Sequence, residues 1–296
     1  MRIAVTGYQG QVVTALAERG EAAGFTISPI GRPSLDLAEI RSVRPALQAA
    51  APDIIVSAAA YTAVDKAETE RDIAWRINAA GAGAVAAAAR EMRVPIVHLS
   101  TDYVFDGAKT KPWVEDDPVG PLGVYGASKL AGEYAVAAAT ADHAILRVAW
   151  VVSPFGANFV KTMLRLAESR DVLRVVSDQI GGPTSALDIA DGILAVCRNM
   201  TARSGDSGLR GTFHMGSSGV GSWADLAELV FERLAAKGGR KVTVERISTA
   251  DYPTPARRPA NSRFDSRLIA ERHGVILPDW RQSVTAIVDR LLAPTN

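Results

Sequence analysis

Tyr125 and Lys129 stand four apart in the run Tyr125-Gly-Ala-Ser-Lys129. That spacing puts both side chains on one helix face, where they can serve one reacting centre. A phenol titrates near pH ~10 in isolation and is a poor acid or base at neutrality. A neighbouring ammonium favours the phenolate, so Lys129 is expected to lower the Tyr125 pKa. Thr101, which lies 24 residues earlier, can hold a carbonyl oxygen beside the phenol. The trio suits the movement of a proton onto or off an oxygen while a hydride moves at the same carbon.

Such a trio needs elements to carry it. Arg2-Ile-Ala-Val-Thr6 reads as a short buried strand. The turn Gly7-Tyr8-Gln9-Gly10-Gln11 follows, and then a helical Ala/Leu pattern. Strand, glycine turn and helix make the dinucleotide-binding arrangement, in which a helix N-terminus favours a pyrophosphate. Val13 stands where a third glycine is often found. Further strands are read at 25–30, 53–57, 95–100 and 143–150, with helices near 11–22, 39–50, 68–92 and 124–139. This alternation predicts an α/β fold with a doubly wound parallel Rossmann sheet. Ligands then gather at the carboxyl ends of the strands, where the distinctive residues fall.

The second half is less regular. Strands are expected at 173–177 and 211–215, helices at 187–200 and 223–236, and an edge strand at 241–247. The predicted division is a dinucleotide-binding domain over 1–150 and a smaller, irregular sugar-nucleotide lobe over 151–296, with elements at about 172–235 partly returning to the first domain. Residues 252–262 contain three prolines, which exclude a helix or a central strand.

Composition narrows the function. The 296 residues are 48% hydrophobic and 22% charged, with a net charge of +1. Nothing in that balance calls for nucleic acid or an anionic membrane surface. No run of 18 apolar residues is present, so no membrane span is expected. The first strand begins at residue 2, which leaves no signal peptide to read. The single Cys197 has no internal partner. A cytoplasmic location is the expectation. His98, His143, His214 and His273 have no metal-ligand spacing, so no metal site is expected.

Several longer runs occur in order: Gly7–Gln11, Ala59-Ala-Tyr-Thr-Ala-Val-Asp-Lys-Ala-Glu68, Ser100-Thr-Asp-Tyr-Val-Phe-Asp-Gly107, Val124–Glu133, Asp178-Gln-Ile-Gly-Gly-Pro-Thr184 and Arg258-Pro-Ala-Asn-Ser262. Over nearly the whole chain this resembles the dTDP-4-dehydrorhamnose reductases, a family of extended short-chain dehydrogenase/reductases. The resemblance implies reduction of the C4 ketone of dTDP-4-dehydro-β-L-rhamnose to dTDP-L-rhamnose, the last step of activated rhamnose synthesis. It implies Tyr125 as proton donor, Lys129 on the nicotinamide ribose, and Thr101 polarising the ketone. Gly7, Gly10, Gln11 and Val12 would meet the pyrophosphate, Asp36 and Leu37 the adenine, and Ala60, Tyr61 and Thr62 the far ribose. Arg32, after the second strand, can pair with a 2′-phosphate, which favours NADPH over NADH. Asp102 and Trp150 would line the sugar pocket, and Arg258, Asn261 and Ser262 the nucleotide end.

Some family members pair through magnesium held by glutamates. Here Thr14 and Ala15 occupy one such stretch and Leu187 another, beside Asp188. A magnesium-bridged dimer is therefore not expected, and monomer and homodimer both stay open. Val151-Val152 follows Trp150, where a tyrosine is common in the family. Asp102 is followed by Tyr103 rather than a second acid, which disfavours a dehydratase. A 4-ketoreductase for another dTDP-deoxysugar, and a non-catalytic dinucleotide-binding regulatory subunit, are the alternatives.

Overall fold

The computed structural model describes residues 1–293. Its centre is a six-stranded sheet in which every pairing is parallel. The first five strands are β1 (Arg2–Thr6), β2 (Thr26–Ile30), β3 (Ile54–Ser57), β4 (Ile96–Thr101) and β5 (His143–Val148). Gly211–His214 is the sixth, and the order is β2-β1-β3-β4-β5-(211–214). The strand order reverses between β1 and β3, which opens a crevice beyond their carboxyl ends.

The strands are apolar on both faces because helices cover both. Ile3, Val5, Ile54, Val56, Val97 and Leu99 point to one side and pack with helices Gln11–Ala22 and Ala186–Ala202. The alternate residues Ala4, Ile55, Ile96 and Ile145 point to the other, against Val43, Leu47 and the Ala82–Met92 helix. The period of two along each strand thus sorts its side chains between two cores.

A third core forms the smaller lobe. Helices Phe159–Ala167, Trp223–Ala236 and Trp280–Leu292 pack together over a two-stranded parallel ribbon, Val172–Val176 with Thr243–Ile247. Ala186–Ala202 and Gly211–His214, although late in the chain, belong to the main sheet and its first core.

Two local features differ from the sequence reading. The expected helix over 68–92 is broken into Val64–Ala67, Arg71–Trp75, a π-helical turn over Arg76–Gly81, and Ala82–Met92. The wide turn lets Gly81 lie against Leu37, where a Cβ would come within 2.8 Å. The strand expected to run to Trp150 stops at Val148, because Trp150 takes a left-handed backbone with φ 48°.

Candidate active site

The crevice begins at the glycine turn. Gly7 has φ +105°, a conformation that a side chain strains. The following helix has Gly10 as N-cap, no side-chain cap and no acidic residue in its first turn. Its first bond runs from the Thr14 N–H to the Gly10 carbonyl at 2.9 Å. The amides of Gln11 and Val12 therefore stand at an uncapped positive end, and that end fits a diphosphate. Gln11 has a further use that the sequence did not suggest. Its Oε1 accepts from Ser153 Oγ at 2.7 Å and its Nε2 donates to the Val151 carbonyl at 3.4 Å, which ties the turn to the start of the smaller lobe.

Around this tip lie the other expected cofactor residues. Arg32 is exposed after β2 and has no acidic partner among the described residues. Tyr8 packs on the preceding Gly31, its ring 2.9 Å from where a Gly31 Cβ would be. Asp36 uses Oδ1 to accept the Ala38 N–H at 2.9 Å, which turns the chain so that Leu37 is buried. Ala60, Tyr61 and Thr62 follow β3. Thr6 Oγ1 accepts the N–H groups of Ala58 and Ala59 at 3.0 and 2.9 Å, and this ties the loop to β1. Asn78, in the π turn, holds Tyr61 from both sides: its Oδ1 accepts the Tyr61 N–H at 2.8 Å and its Nδ2 donates to the Tyr61 carbonyl at 3.0 Å. Sequence reasoning missed Asn78, because only the wide turn makes it face this loop.

Thr101 ends β4, and Tyr125 and Lys129 lie one turn apart on the Val124–Ala139 helix. The helix has no cap of its own. Glu68 supplies one from across the fold, accepting the Val124 N–H at 2.9 Å. Burial pushes the Tyr125 pKa up to about 12; the Thr101 hydroxyl pulls it down and the Asp102 carboxyl pushes it up. Lys129 is 3% exposed and donates to the Leu99 carbonyl at 2.6 Å, with His98 Nε2 at 3.4 Å. Burial lowers its pKa to about 8, against the pull of Glu133. The expected depression of the Tyr125 pKa by Lys129 is thus not seen. The ammonium is turned to Leu99, and burial of the ring decides the shift. Tyr103 packs edge-on against Tyr125 with ring centroids 5.4 Å apart.

Asp102, beside Thr101, is 3% exposed. Its Oδ1 accepts from Thr101 Oγ1 at 3.0 Å, while Oδ2 has no hydrogen-bond partner. Burial raises its pKa to about 6, with Ser262 and Thr101 opposing. Beneath the trio lies a buried ion pair. Arg147 of β5 meets Glu133 through Nε–Oε1 at 2.9 Å and Nη2–Oε2 at 2.7 Å, with side chains 6% and 4% exposed. Ser100 donates to the same carboxylate. Arg147 also lies over the Phe105 ring at 5.1 Å.

The residues expected at the sugar and nucleotide end each have protein partners. Trp150, half-buried, stacks its ring on Trp223 at 3.7 Å, and a Cβ on Gly181 would fall 2.8 Å from it. Trp223 entered the sequence reading only as the start of a helix. Arg258 makes a two-pronged pair with Asp65, at 2.8 and 3.1 Å, which joins the proline-rich loop to the loop after β3. Asn261 is committed to structure, its Nδ2 donating to the carbonyls of Lys109 and Lys111 at 2.7 and 2.9 Å. Ser262 is buried near Asp102. Among the described residues no three His, Cys, Asp or Glu side chains converge as a metal site. Asp188 accepts from Ser283 Oγ at 2.5 Å.

The sequence model described as RmlD substrate binding domain matches residues 1–293. The chain belongs to the dTDP-4-dehydrorhamnose reductase family. A family member from Sinorhizobium fredii is 50% identical over 292 residues, covering 99% of this chain and 98% of its own. The crystal structure of the Clostridium acetobutylicum member superposes with a TM-score of 0.91 at 35% identity, covering 99% of this chain and 100% of the other. The Bacillus anthracis member, solved in complex with NADP, has a TM-score of 0.89 at 35% identity, covering 98% and 99% of the two chains. The family's fold is thus reproduced over almost the whole chain, smaller lobe included. No helix of the described residues is long and apolar enough to cross a membrane.

Proposed function

We propose that this protein reduces the C4 ketone of dTDP-4-dehydro-β-L-rhamnose to dTDP-L-rhamnose with NADPH. The observation that carries the reading is the convergence of Thr101, Tyr125 and Lys129 at the carboxyl edge of the sheet, in a chain half identical to a reductase of that name. The nicotinamide, when bound, supplies the hydride. The amides of Gln11 and Val12 would hold its diphosphate and Arg32 its 2′-phosphate, with Lys129 on the ribose hydroxyls. Tyr125 donates the proton that the new alkoxide needs. A phenol at about 12 keeps its proton at neutral pH. It is still several units more acidic than an alcohol, whose pKa lies near water's ~15.7. Transfer is therefore downhill only once the alkoxide forms. Thr101 steadies the same oxygen by hydrogen bond. Asp102 and Ser262 flank the sugar, and Arg258 exchanges Asp65 for the nucleotide phosphate.

The test is NADPH oxidation with the purified protein and dTDP-4-dehydro-β-L-rhamnose, in the presence of chelator, with the product identified. dTDP-L-rhamnose at enzymatic rates supports the reading and makes magnesium dispensable. Turnover only with another dTDP-ketosugar changes the substrate. Tight NADPH binding without any turnover points to the regulatory role.

A further inference from the structure

Thr101 has one hydrogen to give, and both Asp102 and a bound ketone could accept it. Its Oγ1 accepts the Tyr103 N–H at 3.2 Å and lies 3.0 Å from Asp102 Oδ1. An ionised carboxylate can only accept. Beside ionised Asp102 the Thr101 hydrogen is therefore consumed in that bond, and nothing remains for a ketone. A carboxylic acid reverses the bond. Its O–H donates to Oγ1, whose two acceptor sites are then filled by Asp102 and Tyr103, and the hydroxyl hydrogen is released outward. We infer that Asp102 acts as a neutral acid that donates to Thr101 and so turns the Thr101 hydroxyl toward the substrate ketone. Asp102 is a positioning residue in this scheme, and the inference rests on the ketone reduction proposed above.

Three observations support it. The carboxyl is buried, and Oδ2 makes no hydrogen bond of normal length, the Ser262 hydroxyl lying near it without closing one. A neutral carbonyl oxygen is left unpaired at far lower cost than one end of a buried carboxylate. The groups that face Asp102 are the Thr101 hydroxyl and the Asp102 and Tyr103 backbone N–H groups from its own segment, Tyr125 from the Val124–Ala139 helix and Ser262 from the proline-rich loop; these donors oppose the burial that raises its pKa without overcoming it. None of them is a cation. The nearest cation of that loop, Arg258, is held by Asp65. Burial already shifts the carboxyl toward its neutral form, and a sugar that displaces water from the pocket shifts it further.

The experiment is the pH profile of kcat for wild type, Asp102→Asn and Asp102→Leu, from pH ~5 to ~9. Wild-type kcat should fall as pH rises through the Asp102 titration. Asn is a permanent N–H donor, so its variant should lose that limb and exceed the Leu variant by roughly 10-fold or more, a difference of about 1.4 kcal/mol per decade. Asn as slow as Leu, or Asn that keeps the wild-type limb, overturns the inference. Difference infrared spectroscopy gives a readout free of turnover. Wild type with dTDP-L-rhamnose added should show a protonated-carboxyl C=O band that Asp102→Asn lacks; only a carboxylate signal overturns the inference. If wild type reduces no ketosugar, the proposed function has failed, and the infrared titration of the protein alone still reads whether Asp102 holds its proton.

Discussion

Changing Glu133 to Gln should destabilise the protein severely without altering any residue that meets substrate. The carboxylate and Arg147 are both almost fully buried, and two bonds of 2.7 and 2.9 Å join them. Glutamine keeps the shape and removes the charge, so the guanidinium stays buried without its counter-ion. Removing one partner of such a pair costs about 3–5 kcal/mol. Natural domains hold only ~5–15 kcal/mol in total. In a chain of this size each kcal/mol corresponds to ~2–4 °C in Tm, so a fall of roughly 10 °C is expected. Urea unfolding followed by circular dichroism measures the free energy directly. The double change Glu133→Leu with Arg147→Met removes both charges at similar volume and should recover most of the loss. A Glu133→Gln variant within about 1 kcal/mol of wild type, or a double variant no better than the single, would falsify this account.

Tyr125→Phe should lose ~10²–10⁴-fold in kcat, the usual weight of one proton donor, with NADPH affinity by fluorescence titration nearly intact; wild-type turnover would exclude it as the donor. Arg32→Ala should weaken NADPH by roughly 10-fold and leave NADH almost unchanged, since only NADPH carries the 2′-phosphate; equal losses for the two sink the assignment. Gly132→Ala places a Cβ 2.1 Å from the Asn78 carbonyl oxygen. It should cost ~1–3 kcal/mol or more by overpacking and raise the cofactor KM through the Tyr61 loop; normal stability and KM together would contradict that packing. Asp102 keeps its proton to about pH 6 in the native state, whereas the unfolded chain releases it near ~3.9. Its stabilising share is therefore full below pH ~4 and gone above about 6, a change on the order of 3 kcal/mol. Denaturation of wild type against Asp102→Asn across that window should show it, and a flat difference would not fit.

Much of the fold was legible because it rests on local patterns. Strand and helix periods, the glycine turn and the four-residue step from Tyr125 to Lys129 are properties of neighbouring residues, and they recur in place. The helix Trp280–Leu292 was missed although Trp280, Val284, Ile287 and Val288 make a buried helical stripe. The lone pKa expectation that failed, a Tyr125 lowered by Lys129, failed because spacing shows which groups are near but not how deeply they are buried.

Sequence alone thus determined the βα order, the glycine turn after β1 and the identity of the candidate trio, each written within a few residues. The partners of those groups were decided only by tertiary structure. Arg258 and Asp65 lie 193 residues apart, and Gln11 and Ser153 lie 142 apart. Glu68 reaches the helix of Tyr125 over 56 residues, and Trp150 finds Trp223 from another lobe. A hydrogen bond or a desolvation is a property of what converges in space. The sheet order and the packing of helices across its two faces set that convergence, and no local pattern encodes it.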